Sequence, residues 1–135
     1  MDDAIRTLLT TTRTWAVVGC SPDPSRASHE IARLLQSRGF RVIPVNPAVD
    51  EVLGERAYPS VTAIPRELGV EVVDIFRRAD RAGAHVDEAI AIGAEGVWLQ
   101  LGVIDDAAAE RARAAGLQVV MDRCPAIELP RLAAG

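Results

Sequence analysis

The chain contains no lysine, and its 15 basic residues are all arginine. That absence excludes Schiff-base chemistry on a lysine amine, and it leaves every cation able to make forked contacts to phosphate or carboxylate. Cysteine is scarce. Cys20 and Cys124 are too few and too far apart in sequence for a zinc knuckle or a disulfide framework. Neither His29 nor His85 stands in a metal-ligating pattern, so no metal site is expected, and both histidines should face solvent or cap a helix. No stretch approaches the ~18 uninterrupted apolar residues of a membrane span. The start, Met1-Asp2-Asp3, is acidic and lacks the positive charge and apolar middle of a signal peptide. These absences point to a cytoplasmic chain with reduced thiols and no membrane partner. With 19 acidic residues the net charge is −4, which gives no overall cationic field for nucleic acid. A helix-turn-helix segment is missing as well.

What remains is ordinary globular composition, 49% apolar and 25% charged over 135 residues. One hydrophobic core and one domain over residues 1–135 are expected. Short apolar runs alternate with helical spacings. Thr14 to Gly19 reads as a buried strand ending at a glycine and a polar, proline-containing loop. The segment from Ala27 to Arg38 carries Ile31, Leu34 and Leu35 as a core stripe, with Ser25 or Ser28 as its cap and Gly39 as its terminator. Arg41 to Pro47 is a second strand whose Pro44 lacks a ladder donor, so it should be weakly paired on one side or bent. Leu53-Gly54-Glu55 suggests a tight turn, and Tyr58-Pro59-Ser60 the start of a short helix. Strands at 71–76, 96–100 and 117–121 alternate with helices at 84–92 and after Asp105-Asp106, and a proline-punctuated tail follows.

Such alternation implies parallel βαβ units with right-handed crossovers. The fold expected is α/β: a Rossmann-like, doubly wound, mostly parallel five-stranded sheet of order 3-2-1-4-5, with helices on both faces. In such a sheet, ligands bind beyond the carboxyl ends of the strands, where the strand order reverses. Gly19 permits a tight turn, and the following helix offers unpaired N–H groups and a positive dipole end to an anion. Ser25, Arg26 and Ser28 lie close enough in sequence to add donors. The dinucleotide pattern G-x-G-x-x-G is absent, since Ser21 replaces its second glycine. Asn46 also stands where an acidic residue would usually hold a NAD ribose.

The segments Ala16 to Ser21, Arg41 to Pro47, Val52 to Glu55, Val73 to Arg78, Val97 to Gly102 and Val119 to Cys124 together resemble the small stand-alone coenzyme A-binding proteins of bacteria and archaea. These are similar to the coenzyme A-binding domain of the succinyl-coenzyme A synthetase alpha subunit. The resemblance extends through nearly the whole chain. It implies a prokaryotic protein that binds coenzyme A, or an acyl-coenzyme A, across the strand ends. Gly19, Cys20, Ser21 and Arg26 would hold the pyrophosphate, with Ser25 and Ser28 beside them. Val45, Asn46 and Pro47 would lie by the adenosine, and Phe76, Arg77 and Arg78 would flank the nucleotide. Gln100, Leu101, Gly102, Arg123 and Cys124 would lie nearer the pantetheine arm.

The phosphorylated histidine of the synthetase belongs to a second domain, for which no counterpart is expected within these 135 residues, and no catalytic constellation replaces it. The expectation is therefore binding without catalysis. A ligase or transferase subunit acting with a partner chain, or a redox-sensing module reading NAD(H), are the alternatives; a homo-oligomer is compatible with each. Cys20 stands where relatives are expected to carry an apolar residue and reads as a small buried filler. Cys124, next to Arg123, is the better candidate for a mixed disulfide with the cofactor thiol. Asp122 reads as a salt-bridge partner for Arg123.

Overall fold

A computed structural model describes residues 2–134; Met1 of the acidic start and Gly135 of the expected domain lie outside the described residues. Along the chain run α1 (Asp3–Thr11), β1 (Thr14–Val18), α2 (Ala27–Ser37) and β2 (Arg41–Val45). A hairpin follows, β3 (Glu51–Val52) and β4 (Glu55–Arg56), then 3-10 turns at Val61–Ala63 and Arg66–Leu68. The second half holds β5 (Val72–Ile75), α3 (Ala79–Ala91), β6 (Gly96–Leu99), α4 (Asp106–Ala114), β7 (Gln118–Val120) and α5 (Pro125–Ala134).

Five strands form one parallel sheet in the order β2-β1-β5-β6-β7. Period-two alternation sends neighbouring side chains to opposite faces. Ala16, Val18, Val73, Ile75, Val97 and Leu99 pack with α3 and α4, whereas Trp15, Val17, Val72 and Trp98 pack with α1, α2 and α5. The Rossmann-like α/β class and its two helical layers are as expected.

The strand order is not. Counted over the main sheet, it is 2-1-3-4-5 rather than 3-2-1-4-5, because β5 lies between β1 and β6. Two local properties require this. Val72, Val73, Asp74 and Ile75 are all buried, as befits a central strand covered on both faces. Pro44 cannot donate to a neighbour, so β2 belongs on an edge; beyond it only Tyr58 pairs, donating its N–H to the Pro44 carbonyl at 3.0 Å.

Other boundaries shift for similar reasons. The helix expected at 84–92 begins at Ala79, with acidic Asp80 in its first turn. The tail is helical, with Pro125 in the first turn, where its missing donor costs nothing, and Pro130 tolerated inside. An amphipathic helix at the start was also missed: Asp2 caps it through Ala4 N–H at 2.7 Å, and Ile5, Leu8 and Leu9 are buried. Asp105 behaves as expected, capping α4 through Ala108 N–H at 3.0 Å.

Candidate functional site

The strand order decides where the crevice opens. Order now reverses between β1 and β5, so the switch point lies between the loop after Val18 and the loop after Ile75. A cleft of about 550 Å³ occupies that position. From the expected set it is lined by Gly19, Ser21, Arg26, Ser28, Val45, Asn46, Pro47, Phe76 and Arg77.

Gly19 makes the two loops meet. It has φ +80°, and a Cβ on it would stand 2.7 Å from the Phe76 carbonyl oxygen. Its N–H donates to the Val45 carbonyl at 2.9 Å, so a single residue touches the ends of three adjacent strands. Only glycine satisfies both the left-handed backbone and the close approach.

The Ser21–Arg26 loop is held by its own polar groups. Ser28 Oγ accepts from Ser21 N–H at 3.0 Å, and His29 Nδ1 donates to the Ser21 carbonyl at 2.9 Å. The sequence reading had His29 facing solvent or capping a helix; it is buried and bonded to the loop before α2. Asp23 Oδ1 accepts from both the backbone N–H and the hydroxyl of Ser25, at 3.0 and 2.8 Å. The first of these bonds, then the second, holds the Asp23 carboxyl below its usual range. Ser25 is consumed in that turn, and neither Ser25 nor Ser28 caps α2. The N-cap position belongs to Arg26, whose side chain makes no capping bond. The first-turn N–H groups of α2 thus face the cleft mouth without a side-chain acceptor, an arrangement suited to an anion.

Asn46 has a clear local reason. Its Nδ2 donates to the Cys20 carbonyl at 2.9 Å and its Oδ1 accepts from Ala48 N–H at 2.9 Å. A carboxylate cannot supply that donor, so the residue ties the β1 and β2 loops together. Arg26 and Arg77 are exposed, and neither forms an ion pair among the described residues. Arg78 instead caps α3 by position and pairs with Asp80 at 3.4 Å. It joins Phe76, Arg77 and Arg81 around a shallower hollow of about 340 Å³.

The remaining expected residues sit elsewhere. The Cys20 side chain is fully buried, and burial first, then the nearby Asp74 charge, pushes its thiol up to about 12. It is the small filler anticipated. Gln100 turns inward, donating to Asp74 Oδ1 at 2.7 Å. Asp74 is wholly buried, its Oδ2 has no partner, and burial lifts its carboxyl to about 8. Gly102 N–H donates to Asp122 Oδ1 at 2.7 Å, while Arg123 donates to the Asp122 carbonyl at 2.8 Å. The expected Asp122–Arg123 salt bridge is thus replaced by backbone contacts. Leu101 is exposed, and Cys124 is half-buried against the α2 side of the core. None of Gln100, Leu101, Gly102, Arg123 and Cys124 lines the cleft.

Three lining residues of note escaped the sequence reading: Ala27, Pro59 and His85. Pro59 arrives because Tyr58 pairs with Val45. His85 arrives because α3 starts early, a beginning that acidic Asp80 in the first turn signals. His85 was expected to face solvent or cap a helix; its side chain is instead mostly buried, with its Nδ1 2.7 Å from Glu88 Oε1.

Comparison with known proteins now has a geometry to rest on. The chain is 33% identical over 120 residues to the YneT protein of Bacillus subtilis, covering 89% of this chain and 87% of that one. A hypothetical protein from Pyrococcus horikoshii superposes with a TM-score of 0.91 at 40% identity, covering 98% of this chain and 92% of the other. Over 64 residues it is 39% identical to the alpha subunit of an ADP-forming acetate–CoA ligase II from Pyrococcus furiosus. That match spans 47% of this chain and 14% of the much longer subunit. No helix among the described residues is long and apolar enough to cross a membrane. The model of the CoA binding domain matches residues 13–130, and the chain belongs to that family.

Proposed function

We propose that this protein binds coenzyme A or an acyl-coenzyme A across the carboxyl ends of β1, β2 and β5, in the cytoplasm and without catalysis of its own. The observation that supports this most is the pair of uncommitted cations, Arg26 and Arg77, beside an uncapped helix start over the Gly19 crevice. A pyrophosphate there meets the α2 N–H groups, the Ser28 hydroxyl and both guanidinium groups. Val45 and Pro47 offer an apolar bed for the adenine. The pantetheine arm then runs along the rim toward Leu101 and Cys124, where Leu101, Ile104 and Ile127 are exposed large apolar side chains.

Thermal-shift measurements with coenzyme A, acyl thioesters and NAD test the assignment. A ligand bound only by the native state at about a hundred times its Kd adds about 2.7 kcal/mol of apparent stability. Coenzyme A or a thioester should raise Tm and NAD should not. A shift with NAD alone would overturn the reading. The likeness to an acetate–CoA ligase subunit favours a second reading, in which the domain presents coenzyme A to a partner chain. Thioester turnover that appears only on adding such a partner would select it.

A further inference from the structure

The cleft has a second wall, and the expected phosphate contacts leave it unused. One wall is the start of α2; the other is α3, which sends His85 into the lining beside Arg77 and Pro59. Glu88, one helical turn on, lies with Oε1 2.7 Å from His85 Nδ1, and both side chains are about four-fifths buried (22% and 21% exposed). A carboxylate can only accept, so Nδ1 carries a proton toward Glu88 and Nε2 is the nitrogen left for the cleft. The charged neighbours are Glu88, bonded to the ring, with Arg77 on the loop before α3 and Arg26 at the N-cap of α2 in the same lining. The segment before the first 3-10 turn contributes Pro59, which is uncharged.

We infer that His85 is a ligand contact of the α3 wall, donating from a protonated Nε2 to a phosphate oxygen opposite the α2 N-terminus, with Glu88 as its positioning residue. The chemistry is that of a charge-assisted bond to an anion. Glu88 fixes the ring's orientation through the 2.7 Å contact with Nδ1, which turns Nε2 away from the helix. Arg77 and Arg26 share the lining with His85, so an anion between the walls meets cationic donors as well. The assignment rests on the cleft holding a phosphate-bearing ligand. It also makes the site a clamp with a donor on each side, rather than a helix start open to solvent.

Imidazole nitrogen NMR of the whole chain, titrated separately with inorganic pyrophosphate and coenzyme A at neutral pH, tests it. Only two histidines contribute, and His29 Nδ1 is already bonded to Ser21. Saturating pyrophosphate should move the His85 Nε2 resonance toward the value of a protonated ring nitrogen. In parallel, His85→Gln should weaken pyrophosphate binding roughly tenfold, the loss expected for one bond to a charged group. Glu88→Gln should move the His85 Nδ1 resonance and weaken pyrophosphate binding by less than His85→Gln does, a split that a purely structural role would not produce. An unmoved His85 resonance with unchanged affinity in His85→Gln would overturn the inference, even if coenzyme A binds. If pyrophosphate moves His85 while coenzyme A does not bind, the clamp stands and the coenzyme A reading falls.

Discussion

The two halves of the strand-end rim use polar residues in opposite ways. Over β1, β2 and β5, the loops are tied by Asn46, Ser28 and His29, while Arg26 and Arg77 remain without ion-pair partners among the described residues. Over β6 and β7, the polar groups are spent on the protein itself: Gln100 on buried Asp74, and at the surface Asp122 on Gly102 and Arg123 on a carbonyl. That second half also exposes large apolar side chains, Leu101 and Ile104, beside Arg123. A residue near a strand end is thus not a ligand residue by position alone; it must have donors left over. In the proposed reading, the first half serves the anion and the second serves folding.

The comparison is most open to challenge at Asp74, the β5 residue on which Gln100 of the second half is spent. Its carboxyl is raised from 3.8 to about 8 by burial, against a smaller lowering by Gln100. A raised acid contributes its full stability below the unfolded value and loses it as pH climbs through the folded one. Native protein should therefore weaken between about pH 4 and pH 8, by at most about 1.4 kcal/mol per pH unit, and then level off. Asp74→Asn should flatten that slope, as read from urea unfolding across pH. Equal slopes for the two proteins would show that Asp74 is not the group responsible.

Gly19→Ala comes next in size. Strained backbone and a Cβ 2.7 Å from the Phe76 carbonyl should cost roughly 2–3 kcal/mol of stability. The coenzyme A-induced Tm shift should shrink with it. A fully stable variant with native ligand response would mean that the loops do not need their close approach.

Arg77→Ala separates the halves directly. Losing one charged contact should weaken coenzyme A roughly tenfold, with Tm of the free protein unchanged. Arg123→Ala, whose guanidinium serves a backbone carbonyl, should change affinity by less than about threefold. The reverse ranking by calorimetry would move the phosphate site to the other half. The smallest effect concerns the thiols. Oxidised coenzyme A should form an adduct at half-buried Cys124 and none at Cys20, whose thiol is buried and raised to about 12. Intact-mass analysis with an adduct at Cys20 would contradict the packing described.

Much of this was legible in advance, and the misses are instructive. The alternation of apolar runs and helical stripes located every strand of the main sheet, because those segments are buried on both faces. The order of strands went wrong although Pro44 had already pointed to an edge; strand adjacency depends on long-range packing that spacing alone does not encode. The helix over Asp3–Thr11 was missed despite a capping Asp2 and a regular Ile5, Leu8, Leu9 stripe, since the acidic start was read only for targeting. The tail helix was hidden by its prolines. At the candidate site, Gly19 and Arg26 were legible from the turn and Arg77 from the family resemblance, while His85 was not, because it reaches the cleft only through the early start of α3.

The edge position of β2 also bears on how the protein behaves at high concentration. An exposed edge strand invites another copy to add on and extend the sheet. Here the chain returns on itself: Tyr58 donates to the Pro44 carbonyl and accepts from Asn46 N–H at 2.9 Å, and the Arg56 guanidinium stands 5.3 Å from the Tyr58 ring. At the opposite margin β7 is only three residues long. Half of one border is sealed by the chain's own backbone, and the other is too brief to template a ladder. Resistance to strand-mediated polymerisation is thereby built into the loop that also supplies Pro59 to the cleft.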